Sequence, residues 1–119
     1  AVMEVPKEKI SSYGVVNGKF IEDNVMMINQ LVEKPNPADA PSNLAIIGRY
    51  ILTPDIFEIL EQTKPGKNGE IQITDALMTQ AKNGIVIAYK FQGRRFDCGS
   101  VDGFIEATNY FYEKIHAKK

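Results

Sequence analysis

The stretch VMMINQLVEKP, residues 25–35, decides how this chain folds. Its apolar residues fall partly on both faces of an extended chain, which is typical of a largely buried strand. The apolar run ends in an acid and a base, Glu33 and Lys34, and Pro35 follows at once. Because proline lacks an amide hydrogen and favours extended angles in the residue before it, we predict that the strand ends here with Lys34 extended.

Further strands are predicted on both sides of this stretch. Residues 11–22, SSYGVVNGKFIE, predict two short strands joined near Asn17 and Gly18, because Asn-Gly tolerates the positive φ angles of a tight hairpin. Residues 43–52, NLAIIGRYIL, and residues 85–91, IVIAYKF, are apolar and rich in β-branched side chains, so each predicts a strand.

Three helices are predicted between and after these strands. Thr53 can cap a helix that begins at Pro54, a second helix begins near Thr74 and ends at the left-handed cap Gly84, and Ser100 can cap the third. The class is therefore mixed α and β. The residues expected along the apolar faces are Ile56, Phe57, Ile59 and Leu60, then Leu77, Met78 and Ala81, then Phe104, Ile105, Thr108, Phe111 and Ile115.

Composition excludes several classes of function. The chain has 119 residues, 44% of them hydrophobic and 24% charged, which suits one globular domain. A net charge of -1 gives no electrostatic case for binding nucleic acid or an anionic membrane surface. No apolar run approaches the roughly 18 residues of a membrane span. The single cysteine, Cys98, excludes an intramolecular disulfide and favours a reducing compartment, so we expect a cytoplasmic protein.

The adjacent charges at residues 33 and 34 suit a sugar phosphate. The carboxylate of Glu33 can accept hydrogen bonds from hydroxyl groups, and the ammonium group of Lys34 can neutralise a phosphate. One ligand can meet both side chains only where a strand ends, since neighbours within a strand point to opposite faces. The alternative is a charged strand terminus that faces water.

Two further stretches can carry chemistry. In FDCGS, residues 96–100, Asp97 precedes a turn and can bind Mg²⁺ that is held by phosphates, or it can simply stabilise its own turn. Cys98 reads as a small buried hydrophobic residue rather than a nucleophile. In SSYGVV, Gly14 either marks a β-bulge or lets a ligand approach a backbone amide. In GEIQITDAL, Asp75 is expected to cap the second helix or to interact with the dipole of its first turn.

The order of five motifs resembles one enzyme family. The chain from about Ser11 to its end resembles the C-terminal half of the bacterial UTP–glucose-1-phosphate uridylyltransferases, within the sugar-1-phosphate nucleotidyltransferases. The sequences SNLAIIGRY and DCG are closer to this uridylyl branch than to the thymidylyl branch. The motifs are SSYGVV (residues 11–16), VEKP (32–35), PSNLAIIGRYIL (41–52), GEIQITDAL (69–77) and FDCGS (96–100).

The resemblance implies a role for each candidate residue. Gly14 would offer its backbone amide to a sugar hydroxyl, and Glu33 would accept hydrogen bonds from sugar hydroxyls. Lys34 would pair with the phosphate attached to the sugar, and Asp97 would be one of two carboxylates that hold a catalytic Mg²⁺. Lys34 and Asp97 would thus be the catalytic residues, with UTP and glucose 1-phosphate as substrates. The residues that would line the sugar pocket are Ile46 and Tyr50.

The family's glycine-rich triphosphate loop has no counterpart in this sequence. The resemblance therefore implies an α/β fold in which residues 1–119 form one partial domain, the sugar-phosphate-binding half of a Rossmann-like nucleotidyltransferase with a mixed sheet and flanking helices. Asn68 stands where thymidylyl relatives have a phosphate-binding arginine, so that role is not transferred. We expect the chain alone, which starts at Ala1, to be an inactive fragment that associates with further copies through bare strand edges. The alternatives are a stand-alone sugar-phosphate-binding or interaction module, and a related nucleotidyltransferase for another sugar or base.

Overall fold

The computed structural model describes residues 1–66, 69–84 and 86–117. Asn68 and Ile85, which enter the sequence predictions, lie outside these ranges. The chain combines a five-stranded sheet with helices, so the predicted mixture of α and β structure is confirmed. The strands are β1 (Val2–Glu4), β2 (Gly14–Glu22), β3 (Val25–Glu33), β4 (Leu44–Ile46) and β5 (Ile87–Tyr89), and the helices are a 3₁₀ helix (Lys7–Ser12), α1 (Ile56–Gln62), α2 (Ile73–Lys82) and α3 (Val101–His116).

The sheet is built around the long hairpin of β2 and β3. Its strand order is β1-β4-β2-β3-β5, and all four strand pairs are antiparallel. An isolated parallel bridge joins Val2 to Lys90, so the two outer strands approach each other. Bare strand edges were expected, but both outer strands are only three residues long. The bridge also joins β1 to Lys90, the residue that follows β5.

The predicted turn at Asn17 and Gly18 is wrong. Residues 14–22 form one continuous strand, and the hairpin turns at Asp23 and Asn24. Gly18 instead lies at a shift in register between β2 and β3, where an added Cβ would stand 2.0 Å from the carbonyl oxygen of Met27. Glycine is therefore needed here for close approach of two backbones rather than for a turn.

The core lies on both faces of β2. Val15 and Val16 are completely buried and point to opposite faces of the sheet. Val15 belongs to a small cluster under the 3₁₀ helix, and Val16 belongs to the main cluster under α1 and α2. The main cluster consists of Val2, Val16, Met26, Ile28, Leu31, Leu44, Ile56, Ala76, Leu77, Ala81 and Ala88.

The first two helices follow the prediction in position but not in every detail. α2 ends at Lys82 with Asn83 at its C-cap position, and Gly84 has the predicted positive φ of 72°. α1 begins at Ile56 rather than at Pro54, with Asp55 at its N-cap position, so Thr53 does not cap it. The Thr53 hydroxyl group instead accepts a hydrogen bond from Gln80 at 3.3 Å. Phe57 is 70% exposed, so only part of the predicted α1 face is buried. The strand predicted over residues 43–52 is shortened to Leu44–Ile46.

The third helix is well formed but has little cover. Ser100 caps it as predicted, since the amide of Gly103 donates to the Ser100 hydroxyl at 3.1 Å. None of its described residues is buried. Cys98, just before the helix, is exposed rather than buried as expected, because it lies on the turn that precedes the cap. The exposed apolar side chains of α3 are Val101, Phe104, Ile105, Phe111, Tyr112 and Ile115.

Candidate functional site

The strand end at Glu33 brings the predicted charged pair to the edge of the hairpin. β3 ends at Glu33 as predicted, but Lys34 is not extended, because its φ is +46°. The amide of Lys34 donates to the carbonyl oxygen of Tyr13 at 3.0 Å, and this bond accompanies the left-handed turn of the backbone. A positive φ at a residue other than glycine costs on the order of 1 kcal/mol, and such strain is concentrated at functional sites. The side chain of Lys34 forms no ion pair with another described residue.

The carboxylate of Glu33 is held in place by a residue of α2. Thr74 Oγ1 donates a hydrogen bond of 2.6 Å to Glu33 Oε2, and Thr74 is only 3% exposed. Gly14 lies opposite Glu33 in the hairpin. An added Cβ at Gly14 would stand 2.8 Å from Glu33 Oε2, so the glycine provides the space for the carboxylate. The start of β2, the end of β3 and the start of α2 thus meet around one acidic group.

Ile46 and Tyr50 lie beside this group. The same added Cβ at Gly14 would stand 3.1 Å from Ile46 Cδ1, which places Ile46 at the carboxylate. Burial and, to a lesser extent, the negative charge of Glu33 raise the pKa of Tyr50. Both residues also line a small cavity of about 80 Å³ over the main core. Glu33 does not line this cavity, so Ile46 and Tyr50 stand between the carboxylate and the core.

Asp97 is connected to the strand end through Arg95. Asp97 Oδ1 accepts a hydrogen bond from the amide of Gly99 at 3.1 Å, and Asp97 Oδ2 is 3.1 Å from a guanidinium nitrogen of Arg95. These two contacts, the amide first, hold the pKa of Asp97 below its ordinary value. The guanidinium carbon of Arg95 lies 5.8 Å from the ring centre of Tyr13, whose carbonyl group holds the amide of Lys34.

Asp97 is the candidate ligand for Mg²⁺ in this part of the fold. The carboxylate of Asp97 is exposed, ionised and already held on a turn. The described residues contain no cluster of three or more acidic, histidine or cysteine side chains suited to a metal. Since Mg²⁺ usually takes one or two carboxylates with phosphate oxygens and water in the remaining positions, Asp97 fits the contribution of one ligand.

The six candidate residues are thus brought together unequally. Gly14, Glu33 and Ile46 converge on one point, with Tyr50 within electrostatic reach and Lys34 next in the chain. Asp97 is linked to them only through Arg95 and Tyr13, and in the described part of the chain no hydrogen bond or ion pair joins it directly to Glu33 or Lys34.

Sequence reasoning missed two residues of this site. Thr74 lies in the GEIQITDAL motif, where the sequence predicts it only as the start of the second helix and assigns its hydroxyl group no partner. No local signal identifies its partner, because Glu33 is 41 residues away in sequence. Arg95 gave no sequence signal beyond its position two residues before Asp97, since its contact with Tyr13 depends on the fold.

This fold is that of the nucleotidyltransferase family. The family model described as Nucleotidyl transferase matches residues 1–114, and the chain belongs to this family. Among the described residues, no helix has the length and apolar character to cross a membrane.

Particular relatives are named UTP–glucose-1-phosphate uridylyltransferase. One from Pseudomonas aeruginosa is 64% identical over 116 residues, which cover 98% of this chain and 42% of the relative. One from Streptococcus pyogenes is 50% identical, over 100% of this chain and 40% of the relative. A solved UDP-glucose pyrophosphorylase complexed with UDP-glucose is 65% identical with a TM-score of 0.90, over 95% of this chain and 43% of that one. The UTP-bound enzyme from Acinetobacter baumannii is 35% identical with a TM-score of 0.77. This chain therefore spans about two-fifths of the length of these relatives.

Proposed function

We propose that a protein containing this segment transfers a uridylyl group from UTP to glucose 1-phosphate, giving UDP-glucose and pyrophosphate. The observation that carries the proposal is the convergence of Gly14, Glu33 and Ile46 beside Lys34, in a chain whose relatives bear the name of that activity. Such a transfer depends on in-line positioning and on neutralising charge more than on an acid–base pair.

Each residue has a task in this proposal. The amide of Gly14 and the carboxylate of Glu33 bind sugar hydroxyls, and Ile46 and Tyr50 line the sugar pocket. Lys34 holds the phosphate of glucose 1-phosphate, which keeps the attacking oxygen in place and reduces repulsion between two anionic substrates. Asp97 binds Mg²⁺, which when present neutralises charge on the phosphates of UTP.

A chimaera makes the proposal testable. In this chimaera, the chain replaces the matching 42% of the Pseudomonas aeruginosa relative. With UTP, glucose 1-phosphate and Mg²⁺, we expect pyrophosphate release by the chimaera and none above background by the 119-residue chain alone. Lys34→Ala and Asp97→Asn should each lower kcat by about 100-fold, as for loss of a charge-stabilising group. Unchanged turnover in both variants would refute the roles of these residues.

Binding without catalysis is the outcome that would favour a different function. If the chimaera folds and binds glucose 1-phosphate but releases no pyrophosphate with any nucleoside triphosphate, this segment belongs to a binding module. If it releases pyrophosphate with another sugar phosphate or base instead, it belongs to a related nucleotidyltransferase.

The chain is further proposed to associate with a second copy through α3. Val101, Phe104, Ile105, Phe111 and Ile115 are each at least 50% exposed, and large exposed apolar patches mark interaction surfaces. Light scattering should give a mass above that of the monomer, and the double variant Phe104→Ser, Phe111→Ser should restore the monomer. A monomer for the unchanged chain at high concentration would contradict this proposal.

A cytoplasmic location stays a prediction, which imaging of the tagged protein would test.

A further inference from the structure

The hydroxyl of Thr74 is placed to control the carboxylate of Glu33. Thr74 is the second residue of α2, and its side chain is almost fully buried against the end of β3. The hydrogen bond from Thr74 Oγ1 to Glu33 Oε2, at 2.6 Å, is short and has an ionised acceptor, so it is stronger than a neutral one. Oε1 of Glu33 accepts no hydrogen bond from another described residue.

Holding one oxygen fixes the direction of the other. A free glutamate can rotate its terminal bond broadly, because that torsion has only shallow preferences. With Oε2 bound to Thr74 and Gly14 leaving room for it, the carboxylate plane is set and Oε1 presents its lone pairs in one direction. Epimeric sugars differ in the direction of a single hydroxyl group, so a fixed acceptor can tell them apart whereas a rotating one adapts to each.

We propose that Thr74 is a positioning residue that sets selectivity among hexose 1-phosphates through Glu33. This inference rests on the proposed function, since it requires that Glu33 bind sugar hydroxyls. A site built to hydrogen-bond a hydroxyl group rejects a sugar that leaves the acceptor unpaired. Thr74 itself touches no substrate in this account and acts only by orienting the carboxylate.

The test measures selectivity in the chimaera. The readout is the ratio of kcat/KM for glucose 1-phosphate to kcat/KM for mannose 1-phosphate and for galactose 1-phosphate. This ratio does not depend on the fraction of protein that is folded, so a merely structural role of Thr74 would not change it. We expect Thr74→Val and Thr74→Ala to lower the ratio about tenfold, the cost of losing a hydrogen bond to a charged group, with KM for UTP unchanged.

Two variants serve as matched controls. Thr74→Ser keeps the hydroxyl group and should retain the ratio. Thr79→Val removes a hydroxyl group from the exposed face of the same helix, where Thr79 donates only to the carbonyl oxygen of Asp75. It should change the ratio by no more than about twofold, as for other surface substitutions.

A double-mutant cycle with Glu33→Gln separates the positioning role of Thr74 from the contact of Glu33 with the sugar. If Thr74 acts through Glu33, Thr74→Val should have no further effect on selectivity in the Glu33→Gln background. An unchanged ratio in both Thr74→Val and Thr74→Ala, with a ratio collapsed by Glu33→Gln, would overturn the role of Thr74 alone. An unchanged ratio in Glu33→Gln would overturn both this role and the proposed contact between Glu33 and the sugar.

Discussion

Gly14 and Glu33 lie directly opposite each other in the hairpin, and a Cβ on residue 14 would stand 2.8 Å from Glu33 Oε2. Real Cβ atoms do not approach an oxygen so closely, so the carboxylate occupies space that only glycine leaves free. The atom in conflict belongs to the end of a flexible side chain, which can move aside. A larger residue at position 14 should therefore disturb the site more than the fold.

The Gly14→Ala variant tests this relationship. We expect the chimaera to bind UDP-glucose about tenfold more weakly, because the displaced carboxylate no longer meets the sugar hydroxyls. Gly18→Ala is the matched control on the same strand, where the conflict is with the backbone oxygen of Met27 at 2.0 Å. That control should instead lose about 1–3 kcal/mol of unfolding free energy. Equal loss of stability in both variants, with unchanged binding in Gly14→Ala, would contradict this account.

The strained backbone of Lys34 predicts a trade between stability and function. Lys34 has a φ of +46°, which glycine adopts without strain and alanine does not. The free energy of unfolding of Lys34→Gly should therefore exceed that of Lys34→Ala by about 1 kcal/mol. Both variants lack the ammonium group and should lose turnover to the same degree in the chimaera. Thermal unfolding of the 119-residue chain measures the first effect. If glycine and alanine are equally stable, position 34 carries no strain.

The contact of Arg95 with Asp97 predicts a pH dependence. Arg95→Met should raise the pKa of Asp97, although the amide of Gly99 should keep it below the ordinary value. In the unchanged chain, the ionised carboxyl group stabilises the fold above its unfolded-state pKa, and this contribution is lost as the pH falls through the lower folded-state pKa. Carboxyl carbon shifts in NMR spectra follow the titration. Arg94→Met is the control, because Arg94 pairs with Glu106 rather than Asp97, and it should leave the Asp97 pKa unchanged.

The charge of Glu33 near Tyr50 gives a second titration. Glu33→Gln should lower the pKa of Tyr50, but burial should keep it above the ordinary value, because burial is the larger cause. Since the folded-state pKa is raised, the stabilising contribution of Tyr50 is present below its unfolded-state pKa and is lost as the pH rises through the folded-state value. Ultraviolet absorbance of the phenolate, compared with Tyr50→Phe, isolates this residue among the five tyrosines. Glu22→Gln, at the far end of β2, should have no effect.

Local signals predicted those elements whose stabilising groups are near in sequence. Ser100 and the amide it caps are three residues apart. β3 ends at Glu33, just after its apolar run and two residues before Pro35. The role of Gly18 could not be predicted, since it depends on the backbone of Met27 in the neighbouring strand. Lys34 likewise takes its conformation in a turn held by Tyr13, against the preference of a residue before proline.

The candidate site shows the same division. Residue type and the order of motifs predict Glu33, Lys34 and Asp97 as candidate site residues. Thr74 was missed because its partner is 41 residues away in sequence and is brought to it by packing of α2 on β3. The burial of Phe57 was wrongly predicted, because helical spacing does not say how wide a face of α1 the rest of the chain covers.

We expect Glu33 to bind the sugar and Lys34 to bind the phosphate attached to it. Calorimetric titration of the chimaera with UDP-glucose and with UDP tests this most directly, since UDP keeps that phosphate and lacks the sugar. Glu33→Gln should weaken binding of UDP-glucose by about 1–3 kcal/mol and leave UDP unchanged, whereas Lys34→Ala should weaken both ligands. Unchanged affinities in both variants, or equal losses for the two ligands in Glu33→Gln, would contradict the account.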